Sequence, residues 1–149
     1  MSDALSVFLA RALGEEGMRR FAYNDTTGKT VTCKTMDPPG NLSIGEGINL
    51  EVGLDDEEIA WFLQHRAGLV FVQIQKFPWW PTDDAVRGSV LLDVGFNDGL
   101  TGLLHFPHML AAAANKDWVT ASAQLLDSDA ARALPSRYNP LAQLLLNGQ

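Results

Sequence analysis

Apolar residues recur at helical spacing over residues 3–16, where Leu5, Phe8, Leu9, Ala12 and Leu13 fall on one stripe. Ser2 or Asp3 can cap the start, and Gly17 is a C-terminal stop signal, which places Glu16 in the last turn. The helix dipole disfavours a carboxylate at that end, so helix stability gives no reason for Glu16. Over residues 20–50 the period changes. Short runs rich in Thr, Val and Ile, punctuated by glycine, predict a β-hairpin, with TVTCKT and LSIGEGI as strands on either side of the turn Met36–Asn41. From Asp55 the pattern is helical again. Asp55 and Glu58 have capping-box spacing, and a long helix is predicted to run toward Phe77 until Pro78–Pro81 break it.

The next helix is predicted to start at a Thr82 cap and to bury Val86, Val90, Leu91 and Val94, ending at Asn97-Asp98-Gly99. Shorter helices follow over 100–105, 107–115, 117–126 and 127–134, and a last one runs from Pro135 through Leu146. The fold class expected is α+β and mostly helical. A small β element, about 17–54, is joined by a connecting helix, about 55–77, to a helical lobe, about 82–149, which the first helix (3–16) completes within a single domain.

Composition narrows the function. Hydrophobic residues make up 46% of 149, ordinary for a globular chain. No apolar run approaches the ~18 residues of a membrane span, and Met1-Ser2-Asp3 gives no signal-peptide pattern, so neither stable membrane association nor a signal peptide is expected. The single cysteine, Cys33, excludes an internal disulfide and a multi-cysteine metal site. A net charge of -7 argues against nucleic acid as partner and gives no attraction toward anionic polymers. His105-x-x-His108 is too sparse a metal signal, and there is no Gly-rich phosphate loop or nucleophile elbow, so no metal or cofactor is expected.

The chemistry-bearing stretch is Glu16–Gly47. It reads E-G-M-R-R-F-A-Y-N-D-T-T-G and, after an insert, S-I-G-E-G. Two carboxylates, Glu16 and Asp25, are the groups a glycosidic bond needs, an acid on the leaving oxygen and a carboxylate serving a water, and the hydroxyl of Ser43 is the third candidate of the stretch. For each there is a plainer explanation. Glu16 could be a solvated helix-end charge, Asp25 the Asx-turn residue before Gly28, and Ser43 a strand hydroxyl with Thr30 and Thr32 as rivals. Strand alternation puts Glu46 with Ile44 and Ile48 on a face expected to be buried, where it would need a partner such as Arg19 or Arg20, or would act as an extra carboxylate near Glu16. Asp93 and Asn97, four apart on one helix, are expected to point into a cleft together. Phe96, Phe106 and Trp118 are expected in the core, and Trp79-Trp80 in either a packed corner or an exposed contact.

On these residues the chain resembles the T-even phage lysozyme family, the phage endolysins of glycoside hydrolase family 24, whose motif is E-G-x(5)-Y-x-D-x-x-G-x-x-T-I-G-x-G. Glu16, Gly17, Tyr23, Asp25 and Gly28 fit it without a gap, and Ser43-Ile44-Gly45-Glu46-Gly47 fits its end after about a dozen inserted residues. LLDVGFNDG (91–99), Leu104–Leu110, Asp117–Leu126 and PSRYNPLAQLLLNG (135–148) are similar to its later blocks. Ser43 stands for the usual threonine, Ile48 for a frequent histidine and Ala130 for a frequent aromatic.

The resemblance implies a lysozyme-like fold with a cleft between lobes, and an inverting hydrolysis of the β-1,4 bond between N-acetylmuramic acid and N-acetylglucosamine in peptidoglycan. Glu16 would be the general acid, and Asp25 with Ser43 would hold the attacking water. Asp93, Asn97, Glu46 and Arg137 are expected to bind substrate, and Arg137 could also pair with the active-site helix. The resemblance further implies a monomer acting in phage or prophage lysis, held in the host cytoplasm and released to the periplasmic wall by a holin-type pore. A lytic transglycosylase on the same substrate, and a catalytically silent virion or wall-binding protein, are the alternative expectations.

Overall fold

The computed structural model describes residues 3–15, 20–23, 29–31, 43–44 and 48–148, without the side chains of Glu15 and Ile48. Glu16, Gly17, Asp25, Glu46 and the predicted turn 36–41 lie outside the described residues. The described chain is mostly helical, with seven helices: α1 (Ala4–Glu15), α2 (Asp56–Ile74), α3 (Ala85–Leu104), α4 (Pro107–Ala114), α5 (Trp118–Leu126), α6 (Asp129–Ala133) and α7 (Pro135–Asn147). Two short strands, β1 (Ser43–Ile44) and β2 (Ile48–Asn49), complete it.

The residues form two compact units, one of Met1–Ala12 with Gln64–Gln149 and one of Leu13–Leu63, so the boundaries fall inside α1 and α2. In the larger unit α3 is the central element. Every residue from Gly88 to Gly95 is buried, because the helix is apolar almost all round and has neighbours on all sides. Phe8 of α1 is buried and packs on Phe96 at 5.3 Å between ring centroids. Burying such a ring contributes about 1.5–3 kcal/mol. α1 can come this close because position 88 is glycine: a Cβ there would lie 2.8 Å from the Ala4 Cβ. α7 packs on α3, α5 and α6, and α4 packs on α5.

Local signals set most helix ends. Asp55 Oδ1 accepts the Glu58 N–H and Glu58 Oε2 accepts the Asp55 N–H, both at 2.8 Å, a reciprocal capping box at the start of α2. Asp3 Oδ1 caps α1 through the Ser6 N–H at 2.8 Å. α3 is broken at Gly99 (φ 71, ψ 169), where Asn97-Asp98-Gly99 signals a stop. Its N-cap is Asp84 rather than Thr82, since the Asp84 carboxylate accepts the Arg87 N–H at 3.0 Å. Trp79 is the buried half of the Trp79-Trp80 corner, stacked on Phe77 at 4.9 Å.

The smaller unit corrects the hairpin expectation. LSIGEGI is not one strand: Ile44 pairs with Ile48 within it, antiparallel, and Ser43 pairs with Asn49 just beyond it. Ile44, expected on a buried face, is 57% exposed. Thr30 forms a single antiparallel bridge with Tyr23, beside the Val31 N–H to Ala22 O bond of 2.7 Å. The Leu54 N–H donates to Arg20 O at 2.7 Å, which ties the residues before α2 to those after α1. Arg20 pairs with Asp56, an exposed pair of small worth.

Candidate functional site

Of the sequence-predicted site residues, Asp93, Asn97 and Arg137 are brought together in the larger unit. Ser43 opens β1 in the smaller unit with an exposed side chain, opposite Asn49.

Asp93 sits in the middle of α3 and is 3% exposed. Its Oδ2 accepts from Arg11 Nη2 at 2.7 Å and its Oδ1 from Arg137 Nη2 at 2.6 Å. Asn97, one turn later, donates to the Asp93 carbonyl at 2.8 Å and to Oδ1 at 3.1 Å. Arg11 also reaches Ser89 Oγ at 3.0 Å and the Ser89 carbonyl at 3.2 Å. Burying a carboxylate without partners is costly, and here two guanidiniums and an amide supply them. Asp93, expected to face a ligand, thus spends both oxygens on side chains of α1, α3 and α7. Asn97 is exposed, and Arg137 is half-buried at the edge of the group.

The neighbouring residue of α7 extends the group. Tyr138 is 2% exposed and its hydroxyl donates to Asp98 Oδ2 at 2.9 Å. Burial first, and then the Asp98 carboxylate, push the Tyr138 phenol up to about 12. The phenol is therefore a fixed donor across the ordinary pH range. Arg11, Arg137 and Asp93 together carry one formal positive charge, two guanidiniums against one carboxylate.

Arg11, Ser89 and Tyr138 were missed in the sequence. Ser89, Asp93 and Asn97 recur every four residues through an apolar helix, and that polar seam was the available signal. Arg11 lies three residues after Phe8, at the margin of the α1 stripe, where nothing local announces a buried partner 82 residues away.

The remaining candidates fall into structural places. Arg87 stacks over Trp118 at 4.8 Å, and its guanidinium donates to the Leu145 and Leu146 carbonyls at 2.9 and 2.7 Å. It thereby satisfies carbonyls at the end of α7 that have no partner within the helix. His105 and His108 are exposed, and among the described residues no three His, Cys, Asp or Glu converge as metal ligands. No described helix is long and apolar enough to cross a membrane. Comparison with protein-family models and with curated proteins finds no match to this chain.

Proposed function

We propose that this chain is a peptidoglycan-cleaving glycosidase with a lysozyme-like fold. The observation that carries the reading is the spacing E-G-x(5)-Y-x-D-x-x-G followed by S-I-G-E-G, which resembles the T-even phage lysozyme motif and supplies the two carboxylates that glycoside hydrolysis uses together with a hydroxyl. The mostly helical chain, with its short β pair presenting an exposed Ser43, supports it.

The Glu16 carboxylic acid gives its proton to the glycosidic oxygen as the bond from the anomeric carbon to that oxygen breaks. A water held by Asp25 and Ser43 forms the new bond from the opposite face, and its proton passes to Asp25. One water is consumed and the anomeric configuration inverts. Glu16 must stay protonated near neutral pH, which an apolar surrounding achieves, while Asp25 must stay ionised. The substrate is the glycan strand of the bacterial wall, cut between N-acetylmuramic acid and N-acetylglucosamine. Lysis after delivery through a pore-forming helper is the proposed biological setting.

Clearing of purified peptidoglycan by the parent and by Glu16→Gln tests the reading. Clearing by the parent alone, with products carrying one added water, is expected. Anhydro products one water lighter would replace hydrolysis by a transglycosylase, and absence of clearing by the parent would leave a silent wall-binding protein.

A further inference from the structure

A cavity of about 340 Å³ lies wholly within the larger unit, where the end of α2, the Trp79-Trp80 corner and the starts of α1 and α3 converge. Its size falls within the ~300–1,000 Å³ of small-molecule sites. Its walls include the half-buried rings of Phe71 and Trp80 and the polar side chains of Asp3, Gln75, Thr82 and Asp83. The proposed reaction uses none of these residues.

Trp80 is held from two sides. Phe71 meets it edge to face at 5.5 Å and 77°, and the edge of its six-membered ring packs on Gly88 of α3, where a Cβ would lie 3.1 Å from it. The ring therefore stands in place before any ligand arrives. An indole N–H taken partly out of water ordinarily finds an acceptor. Among the described residues that of Trp80 has none, and the Gln75 amide and the Thr82 hydroxyl have no partner either. The two carboxylates, by contrast, are engaged: Asp3 Oδ1 accepts the Ser6 N–H at 2.8 Å and Asp83 Oδ2 accepts from Lys116 Nζ at 2.7 Å.

These groups select among ligands. An anion would be repelled by Asp3 and Asp83. A cation gains nothing from the indole N–H, and an apolar molecule would take the indole, amide and hydroxyl out of water unpaired. A neutral sugar uses all of them, because its C–H face lies on aromatic rings while the hydroxyl and acetamido groups at its rim both donate and accept. We propose that this cavity holds an N-acetylglucosamine unit of a glycan strand. The choice of sugar rests on the glycosidase reading: of the two sugars in peptidoglycan N-acetylglucosamine is neutral, whereas the lactyl group of N-acetylmuramic acid leads to carboxylates. The Trp80 N–H donates to an oxygen of the sugar, and Gln75 and Thr82 take up neighbouring hydroxyls. The chain thereby gains a hold on the wall that does not depend on charge, which a net charge of -7 would not supply.

The test is titration of the full chain carrying Glu16→Gln with chitotetraose, a soluble oligomer of N-acetylglucosamine, followed by the indole N–H signals in proton–nitrogen NMR spectra. The Trp80 signal is the one lost in Trp80→Phe. Saturable movement of that signal is expected. Adding Gln75→Ala and Thr82→Ala, both at exposed positions, should weaken binding about tenfold, the scale of two hydrogen bonds to the sugar, with the other signals in their places. A Trp80 signal that stays put, whether or not others move, would overturn this inference, and so would a variant at positions 75 and 82 that binds as tightly as its parent. The glycosidase reading is decided separately, by clearing of peptidoglycan with Glu16 intact. Binding at Trp80 without such clearing would keep the cavity as a glycan site and remove the cleavage.

Discussion

Arg137 of α7 donates to Asp93 Oδ1 at 2.6 Å across 44 positions of sequence, and Arg11 of α1 takes the other oxygen of the same carboxylate. One buried side chain of α3 therefore ties both helices to it. Asp93→Asn removes the charge and keeps the shape, leaving two guanidiniums with a weaker acceptor. The expected loss is about 3–5 kcal/mol, the range for breaking a buried ion pair from one side. Urea unfolding measures it, and a midpoint within error of the parent would contradict the pairing.

Tyr138 predicts the alkaline behaviour. Its folded value, about 12, lies above the ordinary 10.0, so the folded state keeps a proton that the unfolded state has lost. The stabilisation is complete below about pH 10, and stability falls as pH rises from there to about 12. Tyr138→Phe should flatten the stability curve in that window, read by urea midpoints at intervals from pH 9 to pH 12.

Gly88→Ala tests the approach of α1 to α3. Its Cβ would sit 2.8 Å from that of Ala4, with the Trp80 ring at 3.1 Å. The helix would gain about 1 kcal/mol of propensity from alanine. Overpacking costs about 1–3 kcal/mol and is expected to win. A lower melting temperature supports the close approach; a higher one would show that the helices can part freely.

Arg87→Ala strips two carbonyls at the end of α7 of their donor and leaves Trp118 without its stacked guanidinium. A loss of about 2–3 kcal/mol is expected, because hydrogen bonds from charged groups are each worth about 1.5–3 kcal/mol and water recovers part of it. Amide exchange should speed up first in the last turn of α7.

In the proposed reaction, Asp25→Asn should lower turnover by about 10²–10⁴-fold. Ser43→Thr should keep or raise it, since threonine has the same hydroxyl with a more restricted rotamer. Loss of turnover in Ser43→Thr, measured on purified peptidoglycan, would remove Ser43 from the water-holding role.

The elements that could be read from the sequence are those whose cause is local. Asp55 and Glu58, three residues apart, close a capping box with no help from the rest of the chain. Asn97-Asp98-Gly99 breaks α3 because glycine adopts a positive φ at no steric cost. Pro135 starts α7 because the first helical turn does not need its missing N–H. The proposed site residues are likewise a local pattern of residue types, Glu16 and Asp25 at gap-free motif spacing and Ser43 beyond an insert.

What the sequence could not yield was settled by partners far away in the chain. Asp93 has the spacing of a ligand contact with Asn97, and only packing brings Arg11 and Arg137 to its two oxygens. Strand alternation over LSIGEGI assumed one continuous strand, whereas Ile44 pairs with Ile48 inside it. Asp84 outcompetes Thr82 as a cap because its carboxylate also holds the side chain of Arg87, which is anchored on α7. Helix signals are set by neighbours within four residues, so the sequence determined the helices and most of their ends. Burial, charge pairing and strand register depend on contacts between segments, so only the tertiary structure decided which polar residues became the frame of the larger unit.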